Sequence, residues 1–322
     1  MNRPVATPRS QHWAQINEFS FVTGMRLLFW LCRLVGRWPV RLILYPVSLW
    51  YFLTKPAVRA ASSDYLQRAA EHGAGLNDLG KLSVFRHFAA FAESILDKML
   101  LWSGLFDTDS VKHHGQSLIA AEIVKKRGGV LICCHLGNLD LCRVLSKQMA
   151  GFKMTVLIHT KHAQRFNRLL AQLNADSQVN LMQVTELSAA TAVLLSEKVA
   201  RGEFVAVAGD RIPVTPNPRV AMADFFGAPA PFPVGPYILA DLLQCPVFLL
   251  FTLRRGRTSE IHFELFRESI HLPRRQRERA LADLAAEYAL RLEHYCRRAP
   301  LQWFNFYQFW RLPTMDPANA PR

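Results

Sequence analysis

The second half of the chain alternates between short apolar runs and amphipathic stretches. Helical periodicity marks the intervals, for example residues 190–203 and 235–245. The apolar runs have the length and composition of buried strands, at residues 129–135, 154–160, 179–184, 204–210, 245–256 and 260–266. Such strands separated by helices indicate an α/β fold with a mostly parallel central sheet flanked by helices. The last two runs are nearly adjacent, which predicts an antiparallel hairpin at an edge of the sheet.

The first part of the chain lacks this alternation. Residues 55–110 show helical periodicity, whereas residues 19–54 are intensely apolar and aromatic, without an uncharged window of the roughly 18–20 residues that a transmembrane helix needs. Four arginines of this apolar segment fall within about 80° of one helix face, although Pro39 can end the helix before the last of them. They are Arg26, Arg33, Arg37 and Arg41. We expect a helical segment attached to a membrane surface, with an ordinary buried helix pair as the alternative.

These patterns predict three regions. Residues 1–60 form the membrane-associating segment, residues 61–312 form the α/β domain, and residues 313–322 form a flexible tail. The start of the chain has neither the apolar stretch nor the cleavage site of a secretory signal, so we expect no cleaved leader.

Composition narrows the class of protein. Half of the 322 residues are hydrophobic and a fifth are charged, which excludes a disordered chain. The net charge of +14 favours a partner with negative charge, either a membrane surface or a nucleic acid. The basic cluster at residues 274–279 favours an anionic surface, because no recognised nucleic-acid motif accompanies it. Six cysteines lie in apolar runs without a C-x-x-C pair, which predicts reduced, buried thiols and no metal site.

Candidate chemistry lies where the first apolar strand ends. His135 follows that strand, Gly137 and Asn138 suit a tight turn, and Asp140 falls in the first turn of the next helix. Among eleven histidines, only His135 has an acidic residue five positions later, although about one such pair is expected by chance. A histidine base oriented by a carboxylate activates a hydroxyl or amine of a substrate. The alternative is a histidine that only caps a helix and fills the edge of the core.

Other charged residues follow later strands. Arg165 comes after the second apolar run, and Asp210 and Arg211 end the fourth. Successive parallel strands bring their carboxyl ends to one edge of a sheet, so we expect these residues to converge on the cleft that holds His135. An arginine there can bind a phosphate or stabilise an oxyanion, whereas a solvated helix face or a structural ion pair is the alternative.

Several ordered motifs resemble one enzyme family. The stretch "CCHLGNLD" (133–140) resembles the H-x-x-x-x-[DE] block of the lysophospholipid acyltransferase-like superfamily and, more closely, of the bacterial lipid A lauroyl/myristoyl acyltransferases. The stretches "DFFGAPAPFPVGPYILA" (224–240) and "PLQWFNFYQFW" (300–310) resemble later segments of the lipid A family. The N-terminal part, "HWAQINE" (12–18) and the segment after it, looks most like a subgroup found with aryl polyene type lipid pathways.

The resemblance implies an acyltransferase with a glycerolipid acyltransferase-like fold and no cofactor. Acyl carrier protein or acyl-CoA would be the thioester donor, a lipid or glycolipid hydroxyl the acceptor, and the cytoplasmic face of the bacterial inner membrane the location. His135 would be the base, with Asp140 as its orienting acid. The substrates would be bound by Arg165, Asp210, Arg211 and Asn138, with Gly227 at a turn beside the acyl chain and Phe226 lining its tunnel. Lipid A enzymes commonly carry glutamate at the position of Asp140, whereas aspartate is typical of glycerolipid acyltransferases, so the acceptor stays open. The sequence also leaves the donor carrier and the acyl length open.

Two other functions compete with this interpretation. A serine hydrolase lacks support because the chain has no G-x-S-x-G nucleophile elbow. A non-enzymatic basic protein of membrane surfaces or nucleic acids explains the charge but not the motifs, and nucleotide-binding glycine loops are absent from the sequence.

Overall fold

The protein is a mixed α/β structure built on a seven-stranded sheet. The computed structural model describes residues 30–76, 80–158, 179–183, 189–213 and 218–311. The strand order is β1-β9-β8-β2-β5-β3-β4, and all pairs are parallel except β8 with β9. The predicted mostly parallel sheet flanked by helices is therefore confirmed.

The strands are short and mostly apolar. Those of the large sheet are β1 (Val111–His114), β2 (Gly129–Cys133), β3 (Met154–Ile158), β4 (Val179–Gln183), β5 (Phe204–Ala208), β8 (Val247–Arg255) and β9 (Thr258–Arg267). A separate antiparallel hairpin consists of β6 (Val220–Phe225) and β7 (Ala228–Pro233). The helices are α1 (30–35), α2 (Arg37–Thr54), α3 (Pro56–Glu71), α4 (Lys81–Ser103), α5 (Gln116–Val124), α6 (Cys142–Gln148), α7 (Ala189–Ala200), α8 (Gly235–Leu243) and α9 (Arg277–Arg298).

Two hydrophobic cores cover the two faces of the large sheet. In β2, Val130 and Ile132 belong to one core, while Leu131 and Cys133 belong to the other, because successive side chains of a strand point to opposite faces. The first core is closed by α3, the first half of α4, α7, α8 and α9, and the second by α2, the second half of α4, α5 and α6. Burial on both faces explains why β2 is an unbroken apolar run.

Three features differ from the sequence predictions. The β8–β9 hairpin is antiparallel as expected, but it does not form an edge, because β1 pairs in parallel with the outer side of β9. The sequence of β1, VKHH, carries no apolar run that marks it as a strand. The β6–β7 hairpin was not expected either, since Pro229, Pro231 and Pro233 alternate through β7 and proline is typical of strand breaks.

The N-terminal helices carry an exposed apolar face. Along α2, the side chains of Trp38, Leu42, Leu49 and Leu53 lie on one side and are 72%, 77%, 45% and 62% exposed. Helix α1 adds Leu34, which is 78% exposed. Within the described residues, none of the helices combines the length and the apolarity needed to cross a bilayer.

The predicted row of arginines is not continuous. The helix is interrupted at Gly36, with φ of 75°, and not at Pro39, which lies inside α2. Arg37 contacts Glu93 and Asp97 of α4, each at 3.1 Å, and Arg41 contacts Glu93 at 2.6 Å. The guanidinium groups of Arg37 and Arg41 therefore hold α2 against α4 by ion pairs. Arg26, the first arginine of the predicted row, lies outside the described residues.

Candidate functional site

The site is built where β2 ends, in the middle of the sheet. Cys133 pairs with Ala208 of β5 on one side and with Leu250 of β8 on the other. The chain then leaves the sheet through His135 and Leu136 and turns at Gly137, whose φ of 67° favours glycine. A Cβ at Gly137 would also collide with the backbone oxygen of Thr252. This close turn fixes the position of His135.

Asp210, two residues beyond β5, is the hydrogen-bond partner of His135. Its Oδ1 lies 2.8 Å from the imidazole Nδ1, and its Oδ2 accepts the His135 backbone N–H at 2.7 Å. The carboxylate is almost fully buried, with 1% of the side chain exposed, whereas the His135 side chain is 34% exposed. The His135 side chain is therefore more open to solvent than the carboxylate that it contacts.

A third donor reaches the same carboxylate from the C-terminal segment. The indole Nε1–H of Trp303 donates to Oδ2 of Asp210 at 2.9 Å, and Trp303 is fully buried. Burial opposes ionisation of Asp210, but the positive charge that His135 carries when it is protonated and the side-chain and backbone hydrogen bonds of His135 hold the pKa of this carboxyl below its usual range. Asp210 is consequently a carboxylate at neutral pH.

The arrangement determines which nitrogen of His135 is basic. Because ionised Asp210 only accepts hydrogen bonds, Nδ1 carries the proton and the lone pair is on Nε2. Burial and the positive charge of Arg211 lower the pKa of His135 below 6.5, against the opposing effect of Asp210. At neutral pH the imidazole is neutral, and Nε2 is its basic nitrogen.

The predicted partner, Asp140, has a different contact. Its carboxylate pairs with Lys98 of α4 at 3.5 Å, and its backbone N–H donates to the Asn138 side chain at 3.1 Å. The group bonded to Nδ1 is Asp210, which the sequence analysis had assigned to substrate binding. Both oxygens of Asp210 are directed to His135 and Trp303, and its contact with a substrate stays a prediction. The orienting role of Asp140 stays a prediction.

The other substrate-binding candidates fall in different places. Arg211 lies beside the site, where its guanidinium donates to the backbone oxygen of Phe304 at 3.1 Å and its charge acts on His135. Asn138 is buried and caps the short turn Leu139–Leu141, and its Nδ2 has no hydrogen-bond partner among the described residues. Arg165 lies outside the described residues.

Phe226 and Gly227 form the tight turn between β6 and β7. Both have positive φ, 51° and 69°, and a Cβ at Gly227 would collide with His72. Phe226 is buried against Tyr65 and His72, and its backbone N–H donates to Glu293 at 2.6 Å. Packing and turn geometry account for both residues, so their contact with an acyl chain stays a prediction.

The aromatic C-terminal segment is the part of the site that sequence reasoning missed. Phe304 donates its backbone N–H to the oxygen of His135 at 2.9 Å, Gly137 donates to the oxygen of Gln302 at 2.9 Å, and Leu136 forms a bridge with Trp303. The available signal is the density of aromatic residues between 303 and 310, which by itself favours neither a membrane-facing belt nor closure of the core. The structure shows that Trp303 and Phe309 close the core.

One separate cluster offers metal-ligand atoms. Those of His114, Glu260 and His262 lie within 4.8 Å of one another. Glu260 is also paired with Arg298 at 3.1 Å and with Arg255 at 4.0 Å. A cation bound there would compete with two guanidinium groups for the same carboxylate, and the cluster has no contact with His135 among those described.

Comparison with known proteins decides the family. The family of bacterial lipid A biosynthesis acyltransferases matches residues 107–312, which is more than half of the chain and includes His135, Asp210 and Trp303. The chain belongs to the bacterial lipid A biosynthesis acyltransferase family. A search of curated proteins found no match.

Membership in the lipid A acyltransferase family makes acyl transfer in lipid biosynthesis the reaction class, with an acyl donor and a lipid acceptor. The family predicted from the motifs is thus confirmed. The aryl polyene subgroup, the division at residue 60 and the location at the inner membrane stay predictions.

Proposed function

We propose that the protein is a membrane-associated O-acyltransferase that moves an acyl group from a thioester donor to a hydroxyl of a lipid or glycolipid. The observation that carries this proposal is the His135–Asp210 pair, in which a buried carboxylate fixes the proton on Nδ1 and leaves Nε2 basic. The chain has no G-x-S-x-G elbow, so the nucleophile is assigned to the acceptor.

The reaction begins with the acceptor hydroxyl beside Nε2 of His135. The imidazole takes the hydroxyl proton as the oxygen attacks the thioester carbonyl, which forms a C–O bond and a tetrahedral oxyanion. Collapse of that intermediate breaks the C–S bond, and the imidazolium returns its proton to the departing thiolate. Ionised Asp210 stabilises the imidazolium between these steps, as the carboxylate of a catalytic triad does. The atoms balance to an ester and a free thiol.

Arg211 is the proposed stabiliser of the oxyanion. Its side chain lies beside the site, held to the oxygen of Phe304, and its positive charge acts on His135. A fixed positive charge near a developing oxyanion lowers the barrier for acyl transfer. Arg165 keeps its proposed role in binding a phosphate of the donor arm or of the acceptor.

Acyl carrier protein is the proposed donor, with acyl-CoA as the alternative. The net charge of +14 suits an acidic carrier protein, and electrostatic complementarity accelerates association. A lipid of the aryl polyene type is the proposed acceptor, on the basis of the N-terminal resemblance.

The proposed location is the cytoplasmic face of the bacterial inner membrane. Helix α2 presents large exposed apolar side chains, among them Trp38 and Leu42, as an interfacial helix does. Arg33 of α1 is exposed and can attract anionic headgroups, whereas Arg37 and Arg41 are paired with α4.

A transfer assay with two histidine variants tests this function. The donors are lauroyl-acyl carrier protein and lauroyl-CoA, and the acceptors are a lipid A precursor and an aryl polyene lipid. We expect His135→Gln to lose about 10²–10⁴-fold in turnover, while His294→Gln, at an exposed position of α9, keeps wild-type turnover. A folded His135→Gln protein with turnover close to that of the wild type would remove His135 from the mechanism.

A further inference from the structure

A fully buried indole holds the carboxylate that orients the base. Trp303 is 0% exposed, and its Nε1–H donates to Oδ2 of Asp210 at 2.9 Å. The same Oδ2 accepts the backbone N–H of His135, so Oδ1 is directed to the imidazole. Without the indole donor, the carboxylate would keep one backbone donor on Oδ2 and could rotate more easily.

Both the backbone and the ring of Trp303 are held by neighbouring elements. The ring of His87, on α4, approaches the backbone oxygen of Trp303 with its Nε2 at 3.0 Å, and Ser62 of α3 lies 2.7 Å from Nδ1 of the same ring. A carbonyl oxygen only accepts, so Nε2 of His87 is the donor and Nδ1 accepts from the Ser62 hydroxyl. The Trp303 ring also packs against Tyr65 and Phe309, both with centroids at 4.9 Å.

We propose that Trp303 is a positioning residue for acyl transfer, which orients the Asp210 carboxylate and thereby sets both the direction and the basicity of His135. This inference rests on the proposed role of His135 as the base. Trp303 has no assigned contact with substrate and acts through Asp210 alone. The chain of hydrogen bonds runs from Ser62 through His87, Trp303 and Asp210 to His135.

Loss of the indole donor has a defined electrostatic sign. A hydrogen bond from Trp303 spreads the negative charge of Asp210, so its removal leaves more of that charge to stabilise the imidazolium of His135. The pKa of His135 therefore rises when the donor is lost. Among the described residues, the other titratable groups that act on His135 or Asp210 include Arg211, Lys98 with its partner Asp140, Tyr307, Tyr288, Cys133, Cys134 and Cys296. The Trp303→Phe substitution replaces none of them.

The chain contains a matched control for this indole. Trp310 donates its Nε1–H to the backbone oxygen of Phe225 at 3.0 Å and packs in the same aromatic cluster, with its ring centroid 6.5 Å from that of Trp303. Trp310→Phe removes an indole donor and the same ring atoms as Trp303→Phe, but it leaves Asp210 untouched.

The test is an NMR titration of His135 in the full-length protein in detergent, with ¹³C-labelled histidine and the His135 signal assigned by its loss in His135→Gln. We expect the midpoint in Trp303→Phe to rise by about 0.5–1 pH unit, which is less than a whole hydrogen bond to a charged group is worth, because the indole bonds Asp210 and acts on His135 indirectly. The midpoint in Trp310→Phe should stay at the wild-type value. Equal midpoints in all three proteins, or equal shifts in both variants, would overturn the proposal.

A second variant covers the case in which Trp303→Phe does not fold. Site-specific replacement of Trp303 by 3-benzothienylalanine keeps the bicyclic shape and substitutes sulfur for the N–H. The same rise in the His135 midpoint is expected, and an unchanged midpoint contradicts the proposal.

Kinetics separate this inference from the proposed function. Activity falls at low pH as His135 becomes protonated, and the midpoint of this fall in kcat/KM (the acid limb) should move to higher pH in Trp303→Phe by the shift seen in the titration. We expect kcat to fall about tenfold and KM to stay unchanged. A lower kcat with an unmoved limb indicates only a structural role and contradicts the proposal. If His135→Gln retains turnover, the base role fails, while the titration still decides whether Trp303 sets the basicity of His135.

Discussion

Asp210 holds His135 by two hydrogen bonds, one to the imidazole Nδ1 at 2.8 Å and one to the backbone N–H at 2.7 Å, across 75 residues of sequence. The two bonds fix the ring relative to its own backbone. The acid bonded to Nδ1 is Asp210 and not Asp140, which is closer to His135 in sequence.

Asp210→Asn should reduce kcat for acyl transfer by about 10²–10⁴-fold. Three N–H donors face the carboxylate, so an amide at this position places its NH₂ group against at least one of them or releases the imidazole. Steady-state transfer of a lauroyl group checks this. Asp140→Asn is the comparison, and we expect a smaller loss because Asp140 pairs with Lys98. An asparagine variant at position 210 as active as the wild type would show that the pair is not needed.

Arg211→Ala should lower kcat and also move the acid limb of kcat/KM to higher pH. Burial and the charge of Arg211 lower the pKa of His135, so the wild-type enzyme should keep its activity at pH 6.5 and lose it below. Removal of the positive charge makes protonation of the imidazole easier, which raises that pKa. A pH series of kcat/KM measures the shift. If the low-pH midpoint of kcat/KM in Arg211→Ala is equal to or lower than that of the wild type, this electrostatic role is contradicted.

Stability should fall as the pH drops from 6.5 to 4, in part through His87. Burial lowers the pKa of His87 to about 4. Between that value and the unfolded value of about 6.5, the unfolded chain binds a proton that the folded chain does not, so unfolding is favoured as the pH falls. His87 should contribute about 3 kcal/mol to this loss.

His87→Gln removes the titrating group but keeps a donor for the oxygen of Trp303. Urea unfolding at pH 6.5 and at pH 4 should therefore show a smaller difference in free energy for the variant than for the wild type. Equal differences in the two proteins would mean that His87 does not titrate in this way.

The exposed face of α2 should carry the affinity for membranes. Replacement of Trp38, Leu42 and Leu49 by serine should weaken binding to vesicles of phosphatidylethanolamine and phosphatidylglycerol at least tenfold. Full burial of each large apolar side chain in the membrane contributes about 1.5–3 kcal/mol to the binding free energy. Leu290→Ser is the control, because Leu290 is 65% exposed on α9. Unchanged sedimentation with vesicles in the triple variant, or an equal loss in the control, would exclude α2 as the attachment surface.

The strand exits could be predicted from the sequence, whereas the contacts between them could not. The apolar run before His135 and the one before Asp210 identify β2 and β5, and neighbouring parallel strands bring their ends together. The sequence does not determine which acid reaches Nδ1. Asp140 is close in sequence, but its turn directs it to Lys98, while Asp210 follows the end of the adjacent strand β5.

The role of Trp303 depends on contacts over still longer separations. Its bond to Asp210 spans 93 residues and that to His87 spans 216. No periodicity in the sequence encodes such contacts, because they depend on how the C-terminal segment packs across the sheet end. The β6–β7 hairpin escaped prediction for a local reason, since the prolines of β7 are atypical of strands.

The most direct test of the account is a double-mutant cycle between His135 and Asp210. If Asp210 acts only through His135, the double variant His135→Ala/Asp210→Asn should turn over no more slowly than His135→Ala, although each single variant is strongly impaired. Single-turnover transfer of a lauroyl group from acyl carrier protein, in protein of wild-type thermal stability, gives the four rates. Losses that multiply in the double variant would contradict the claim that these residues act as one catalytic pair.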